Sequence, residues 1–492
     1  MKYVSTREGK TGVTASQAIV RGLAPDGGLF VPDTLPQVDL DFIRRLSDMD
    51  YRSRAVAILG LFLEEFSEQE LRAIAEASYG DNFDDPSIAP LHVLDDNSAV
   101  LELWHGPTSA FKDMALQIMP RLLTASLRKN GEERTVSILV ATSGDTGKAA
   151  LEGFRDVPGT RIMVFYPRDG VSQIQRLQMA TQEGGNVNVT AVNGNFDDCQ
   201  TGVKKIFGDE AFSRTLDDRG FFLSSANSIN WGRLVPQVVY YFSAYCDMAA
   251  AGKITMGEPL DFCVPTGNFG NILAGWFAKK MGLPVGKFIC ASNDNNVLTD
   301  FFATGVYDRN RPFYLTGSPS MDILVSSNLE RLLYCVTGDA AFVTESMAKL
   351  SAQGRYEVCE KTMERIRADF VGGFCRDAES REEIARLWRD GYLIDTHTAV
   401  ACRVLRNHRE STGDTAPCVI VSTASPFKFG GTVLDALGIR TQEQGPALMA
   451  VLSEATGVPA PKPLAALLGK PVRFTDWVEI PAMEEAVSAF LC

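Results

Sequence analysis

Several features are missing from this sequence, and each absence removes a class of function. The longest apolar run, Ala55 to Leu63, is far short of the ~20 residues a membrane-spanning helix needs. The opening stretch Met1 to Lys10 lacks the apolar core of a secretory signal, so the expectation is a soluble, cytoplasmic protein without membrane partners. No dense run of Lys and Arg interrupts a net charge of -13, which repels polynucleotide phosphates. Nucleic-acid binding is therefore not expected. The ten cysteines, Cys199 to Cys492, include no C-x-x-C pair and fall singly into mostly apolar segments, which reads as reduced thiols and no zinc site. Only four histidines are present (His92, His105, His397, His408), too scattered for a metal cluster or an evident Ser/His/Asp triad. Low-complexity tracts and internal repeats are also lacking.

What is present is a long, well-mixed chain. Its 492 residues suit two or three domains at ~150 residues each, and 45% hydrophobic content can fill more than one core. In so acidic a protein, a small anionic substrate needs a local gathering of basic side chains, backbone amides or helix N-termini.

The first hundred residues read mainly as helices, with helical apolar spacing in Phe42 to Leu46, Ala55 to Phe66 and Leu71 to Tyr79. Beyond them, short β-branched runs alternate with helical stretches: Val136–Val140, Arg161–Phe165, Val187–Val192, Asp261–Val264, Lys287–Cys290 and Cys418–Val421. Such alternation predicts α/β layers with mostly parallel sheets. Met248 to Pro259 reads as a connection between two α/β units. The expected division is an N-terminal helical subdomain (1–98), a first α/β domain (99–255), a second (256–458) and a C-terminal tail (459–492) with a short helix at Met483 to Leu491.

Three loops follow strand-like runs and open helix-like ones, the place where open α/β sheets bind ligands. Ala141-Thr-Ser-Gly-Asp-Thr-Gly147 offers glycines, hydroxyl donors and a following helix at Lys148 to Phe154; its plain alternative is a strand-to-helix turn with a capping Ser or Asp. Pro265-Thr-Gly-Asn-Phe-Gly-Asn271 suits a nest of amides around a phosphate, yet it matches neither the P-loop nor the dinucleotide pattern. Ser422-Thr-Ala-Ser-Pro426 puts Thr423 at a strand end, where a hydroxyl can meet a cofactor ring. Lys112 lies beside Phe111 and after the apolar Val100–Trp104. Desolvation there lowers a lysine from its usual ~10.4 toward the neutral amine that nucleophilic chemistry needs.

Taken together, these segments resemble the threonine synthases, which belong to the tryptophan-synthase-β-like, fold-type II group of pyridoxal 5'-phosphate (PLP) enzymes. The likeness runs nearly end to end, through Gly22–Phe30, His105-Gly-Pro-Thr108 with Phe111-Lys-Asp113, Ala141–Gly147, Ser225–Asn230, Pro265–Gly270 and Asp395–Ala399. It implies two three-layer α/β domains with mostly parallel sheets. It also implies that Lys112 is the Schiff-base lysine and a proton shuttle, that Gly267, Asn268, Phe269, Gly270 and Asn271 cradle the PLP phosphate, and that Thr423 meets the pyridine nitrogen. Ser143, Thr146, Ser228, Arg233 and Asn268 become the candidates for a substrate phosphate.

The implied reaction converts O-phospho-L-homoserine and water to L-threonine and phosphate, without a metal, in a monomer or homodimer. The sequence departs from the family at Asn271, where Asp is common, and at Ser425, where His is common. Competing readings are a threonine or serine dehydratase of the same PLP group and a non-catalytic homologue that binds a metabolite. The former is disfavoured by Asp145, where Asn is usual, and by the Gly22–Phe30 segment.

Overall fold

The computed structural model describes residues 1–8 and 12–491. Cys492 and the segment 9–11 lie outside the described residues. The β-branched runs form strands, but the sheets they enter are not contiguous in sequence. In chain order the strands are β1 (Tyr3–Ser5), β2 (Phe30–Pro32), β3 (Leu91–Val93), β4 (Ser98–Glu102), β5 (Thr135–Ala141), β6 (Thr160–Pro167), β7 (Val187–Val192) and β8 (Phe221–Ser224). They continue with β9 (Leu260–Pro265), β10 (Val285–Ser292), β11 (Val306–Asp308), β12 (Arg355–Glu357), β13 (Phe370–Phe374), β14 (Cys418–Ser422) and β15 (Trp477–Val478).

A five-stranded sheet has the order β15-β7-β6-β5-β8, and its pairings are all parallel. A six-stranded sheet has the order β13-β10-β9-β14-β4-β3, parallel except for the edge strand β3. Two small antiparallel pairs, β1-β2 and β11-β12, complete the set. Central strands such as β9 and β14 are buried along their whole length, as parallel strands covered on both faces must be.

The topology redraws the expected boundaries. The first α/β domain is expected to begin at residue 99, yet β4, which spans that point, hydrogen-bonds to β14 in the six-stranded sheet, with Ser98 opposite Cys418 and Glu102 opposite Ser422. The chain thus contributes β3 and β4 to one sheet, leaves to build the other, and returns. Conversely, the C-terminal segment reaches back: β15 pairs with β7, and Met483 presses so closely on Gly202 that a Cβ there would lie 2.3 Å from the Met483 sulfur. The segment expected as the connection begins at Ala251, because the helix Gln237–Ala250 runs through Met248. The final helix spans Met483–Leu491.

The N-terminal helices do not own a separate core. Trp231 is fully buried among Tyr3, Phe62 and Phe277, with ring centroids 5.3, 5.8 and 5.7 Å away. One continuous apolar cluster therefore runs from the N-terminal helices into both sheets. Among the described residues, all nine cysteines are free thiols, and no helix is long and apolar enough to cross a membrane.

One close approach controls the geometry behind Lys112. The helix Asp145–Phe154 meets the short helix Asp113–Leu116 at Gly153, where a Cβ would stand 1.9 Å from the Leu116 carbonyl oxygen. Backbone cannot yield as a side chain can. Gly153→Ala should therefore destabilise the protein by about 1–3 kcal/mol, read as a lower urea midpoint. An unchanged midpoint would show that the two helices separate freely.

Candidate active site

The Lys112 loop is held against the end of β14. Leu103 N–H donates to the Ser422 carbonyl at 3.0 Å, Phe111 N–H to the Thr423 carbonyl at 2.8 Å, and Ser425 N–H to the Ser109 carbonyl at 3.1 Å. Buried Asp113 closes the turn by accepting from Thr108 N–H at 2.8 Å and Thr108 Oγ1 at 2.7 Å. Gly106 has no room for a side chain, since a Cβ would lie 2.5 Å from that of Asp113. This packing brings Lys112 out of water, with its side chain 11% exposed and its Nζ 4.8 Å from the Phe111 ring centroid. Burial is the main influence on the amine and lowers it. Asp145 pulls it back up, Arg233 and Lys428 push it down, and the outcome is about 8.

Asp145 is the partner of Lys112, with Oδ2 at 3.5 Å from Nζ. The same carboxylate pairs with Lys428 Nζ at 2.7 Å and accepts from Gln175 Nε2 at 2.9 Å and Ser320 Oγ at 3.1 Å. Burial by itself would raise this acid, but Lys428, Lys112 and the Gln175 bond outweigh it and hold it far below the carboxylate range. Ser320 also donates its N–H to His397 Nε2 at 3.1 Å. That nitrogen is an acceptor, so the His397 proton sits on Nδ1 and points to Asp395 Oδ1 at 2.9 Å.

Two helix N-termini in this region lack the side-chain caps found at Thr14, Ser67, Ser172 and Asn195. The first is Asp145–Phe154, entered through Gly144 at φ 138°. Thr142 Oγ1 accepts from the N–H groups of Gly144 and Gly147, both at 2.9 Å. The N–H groups of Ser143, Asp145 and Thr146 donate to nothing among the described residues. The second is Gly270–Met281, entered through Phe269 at φ 61°. Here the N–H groups of Gly267, Asn268, Phe269, Gly270 and Asn271 are likewise unpaired among the described residues. Their carbonyls are pinned from behind, Gly267 O by Ser326 Oγ at 2.7 Å and Asn268 O by Asn328 Nδ2 at 3.0 Å.

The second loop passes a direct test for a phosphate. Phe269, Gly270 and Asn271 are buried, Gly267 is half-buried and Asn268 is exposed. Unanswered N–H groups at the buried positions are costly, and so is the Asn271 Nδ2, which is buried without a partner among the described residues while its Oδ1 accepts from Tyr240 and Tyr241 at 2.7 Å each. An anion resolves all of them at once. A Cβ on Gly267 would come within 2.9 Å of the Ser320 carbonyl, so the loop can approach the Asp145 cluster only as glycine. The residues present thus fit a phosphorylated cofactor that also meets a lysine amine and a hydroxyl. Thr423 is buried and its Oγ1 has no hydrogen-bond partner among the described residues.

Arg233 supplies the positive charge. It is 6% exposed, donates to the Ala226 carbonyl at 3.0 Å and Thr146 Oγ1 at 3.4 Å, and has no carboxylate partner among the described residues. Burial pushes its guanidinium down to about 10. A buried cation without a counter-ion marks an anion site. Ser228 Oγ lies 3.4 Å from Ser327 Oγ, and its Cβ stands 3.7 Å from where a Cβ on Gly270 would be. Fully buried Arg331 fixes this corner by donating to the Phe30, Ser228 and Ile229 carbonyls at 2.9, 3.3 and 2.6 Å. The motif Gly22–Phe30 thereby reaches the site without entering it.

Sequence reasoning singled out Lys112, both amide loops, Thr423, Ser228 and Arg233. It assigned no role to Asp145, Gln175, Ser320, His397 or Lys428. Lys428 carries the signal that drew attention to Lys112, a lysine set among phenylalanines, in Pro426–Phe429.

This fold and this site define the class, and comparison with known proteins agrees. Residues 99–424 match the family described as pyridoxal-phosphate dependent enzyme, so the chain belongs to that family. Within it the chain is a member of the threonine synthase group: residues 2–79 match the threonine synthase N terminus and residues 398–490 the threonine synthase C-terminal family. The Homo sapiens protein named threonine synthase-like 1 is 43% identical over 437 residues, covering 86% of this chain. The chain spans 58% of that relative's own length. Threonine synthase of Pseudomonas aeruginosa is 40% identical over 457 residues, covering 92% of this chain and 93% of that protein. The crystal structure of PLP-bound threonine synthase from Brucella melitensis matches at a TM-score of 0.88 and 39% identity, over 100% of this chain and 99% of that one.

Behind Trp104, the His105 ring lies between Asp84 Oδ1 at 2.6 Å and Glu102 Oε2 at 2.8 Å. Burial alone would lower the imidazolium, but the bonds to both carboxylates prevail and raise it from 6.5 to about 9. A folded value above the unfolded one means stabilisation that is complete below pH 6.5 and lost as pH rises through 9. The difference in urea midpoint between the wild type and His105→Gln should therefore shrink across that window. A difference that holds constant with pH would show that His105 acts through packing alone.

Proposed function

We propose that the chain acts as a threonine synthase, converting O-phospho-L-homoserine and water to L-threonine and phosphate. The observation that carries this reading is a desolvated lysine standing with two helix N-termini whose leading N–H groups have no acceptor, and a buried arginine with no carboxylate partner, among the described residues. Such a site has places for two phosphates, one on a cofactor and one on a substrate.

In this reading Gly267, Asn268, Phe269, Gly270 and Asn271 would hold the PLP phosphate, Thr423 would offer its hydroxyl to the ring, and Lys112 would be the lysine that carries the cofactor. When bound, PLP supplies an electron sink for charge released at the substrate Cα. Thr423 suits that role because a hydroxyl, unlike a carboxylate, need not keep a proton on the ring.

Lys112 would take the proton from the substrate Cα and would then serve at Cβ. An amine near 8 is suited to this because it both accepts and returns protons close to neutral pH. Arg233, with Ser143, Thr146, Ser228 and Asn268, holds the γ-phosphate and stabilises charge on its departing oxygens. Water adds at Cβ, and protons returned to Cγ and Cα complete threonine. The activity is that of a carbon–oxygen lyase acting on phosphate, working on small molecules in the cytoplasm as a monomer or homodimer. The net charge of -13 supports the exclusion of polynucleotides.

Incubation of the PLP-loaded protein with O-phospho-L-homoserine should release phosphate and threonine in equal amounts. Release of 2-oxobutyrate from threonine, with no phosphate from O-phosphohomoserine, would make it a dehydratase instead. Lys112→Ala should abolish turnover and the fixation of a pyridoxyl group by borohydride. Arg233→Met should lower kcat/KM for the phosphorylated substrate about 100-fold or more, the scale of losing one strong donor to a developing charge. A smaller loss would place the substrate phosphate elsewhere.

A further inference from the structure

Lys428 has no part in the roles above, yet it is among the most buried charges in the protein. Its side chain is 0% exposed, and its ammonium donates to the Thr108 carbonyl at 3.0 Å and pairs with Asp145 Oδ1 at 2.7 Å. A lysine is held this far out of water only when its charge is paired. We propose that Lys428 is a positioning residue for Lys112: by occupying Oδ1 of Asp145, it keeps that carboxylate from closing on the Lys112 ammonium and leaves the amine free to react. This rests on the reading of Lys112 as the PLP lysine.

The distances carry the argument. Asp145 is satisfied at 2.7 Å by Lys428, at 2.9 Å by Gln175 and at 3.1 Å by Ser320, while Lys112 stands off at 3.5 Å. A carboxylate with Lys112 as its only cation would draw the ammonium into a short ion pair and hold its proton.

The charged groups facing Lys112 are Asp145 from the helix Asp145–Phe154, Arg233 from Trp231–Leu234 and Lys428 from Pro426–Phe429. Lys428 in turn faces Asp145 and also Asp113, which burial raises to about 6. Cations therefore outnumber carboxylates. The surplus positive charge favours loss of a proton from Lys112, which has the longest contact to Asp145. Removing Lys428 deletes a repelling charge and gives Asp145 to Lys112, and removing Asp145 does the reverse.

The test follows capture of PLP by the full-length chain, freed of cofactor beforehand, from pH 6 to 10. The rate of visible absorbance change rises as the Lys112 amine deprotonates and gives a midpoint. Lys428→Met should move that midpoint up by about one unit, slowing capture near neutral pH about tenfold. Lys428→Arg, which restores the charge, should bring it back toward the wild type, and Asp145→Asn should move it down. A folded Lys428→Met with the wild-type midpoint overturns the proposal, as does a loss of amplitude without a shift, which is what a merely structural role produces. Should Lys428→Met not fold, Lys428→Gln, which keeps an N–H for the Thr108 carbonyl, decides by the same criterion. Borohydride reduction and peptide mapping of the loaded wild type separate the two readings. A pyridoxyl group on another lysine overturns the Lys112 assignment and this proposal together, whereas a pyridoxyl-Lys112 with an unmoved midpoint overturns the proposal alone.

Discussion

The buried Asp145 carboxylate is the interaction on which the arrangement of the site depends. An ionised carboxylate taken out of water must be surrounded by donors, and these donors come from separate stretches of chain. Lys112 arrives from the loop after β4, Gln175 from the helix Gln173–Ala180, Ser320 from the turn after β11, and Lys428 from the turn after β14. The first, third and fourth belong to the part of the chain around the six-stranded sheet, while Asp145 and Gln175 belong to the five-stranded one. Satisfying one carboxylate therefore registers one sheet against the other. Ser320 extends the registration, since its N–H reaches His397 and its carbonyl sets the closest distance at which Gly267 can pass.

From that registration follows the site's preference for anions, despite the acidic composition. Net charge decides what approaches from afar, whereas unpaired buried groups decide what stays. The N–H groups at the entrances to Asp145–Phe154 and Gly270–Met281 and the buried guanidinium of Arg233 present positive potential in a partly enclosed region, where solvent screens it less than at the surface. Ordinary helix capping would cancel that potential. At Thr14 or Ser67 a side chain answers the same N–H groups, and no ligand is wanted. At these two entrances glycine, or a left-handed Phe269, takes the capping position instead.

Much of this was legible in the sequence, for identifiable reasons. Parallel strands covered on both faces are rich in β-branched and apolar residues, and Val136–Val140, Val187–Val192 and Cys418–Val421 fall where expected. Glycine-bearing loops after such strands were visible too, because the backbone there must come close to something. Strand partnership was not legible. Nothing local tells Ser98–Glu102 that its neighbour is Cys418–Ser422, more than three hundred residues away, so a boundary at 99 cuts through a strand of the six-stranded sheet. The network around Asp145 was hidden for the same reason: its donors converge only after both sheets have formed. Lys428 also went unassigned, although a lysine between Phe427 and Phe429 is as anomalous as Lys112 beside Phe111.

The two departures from the family pattern gain a physical reading from these contacts. Ser425 is fully buried, takes the Ser109 carbonyl at 3.1 Å through its N–H, and accepts Phe427 N–H on its own hydroxyl at 3.4 Å. A short side chain thus starts the turn that delivers Lys428. Asn271 differs in kind. Its carbonyl oxygen receives two tyrosine hydroxyls, and an aspartate would receive them as well, but only the amide leaves an N–H beside the unpaired backbone donors. With Asn the cradle adds a donor and no negative charge, whereas with Asp it would set a carboxylate next to the phosphate and rely on the tyrosines to offset it. The substitution changes the electrostatics of the cradle while leaving its backbone donors in place.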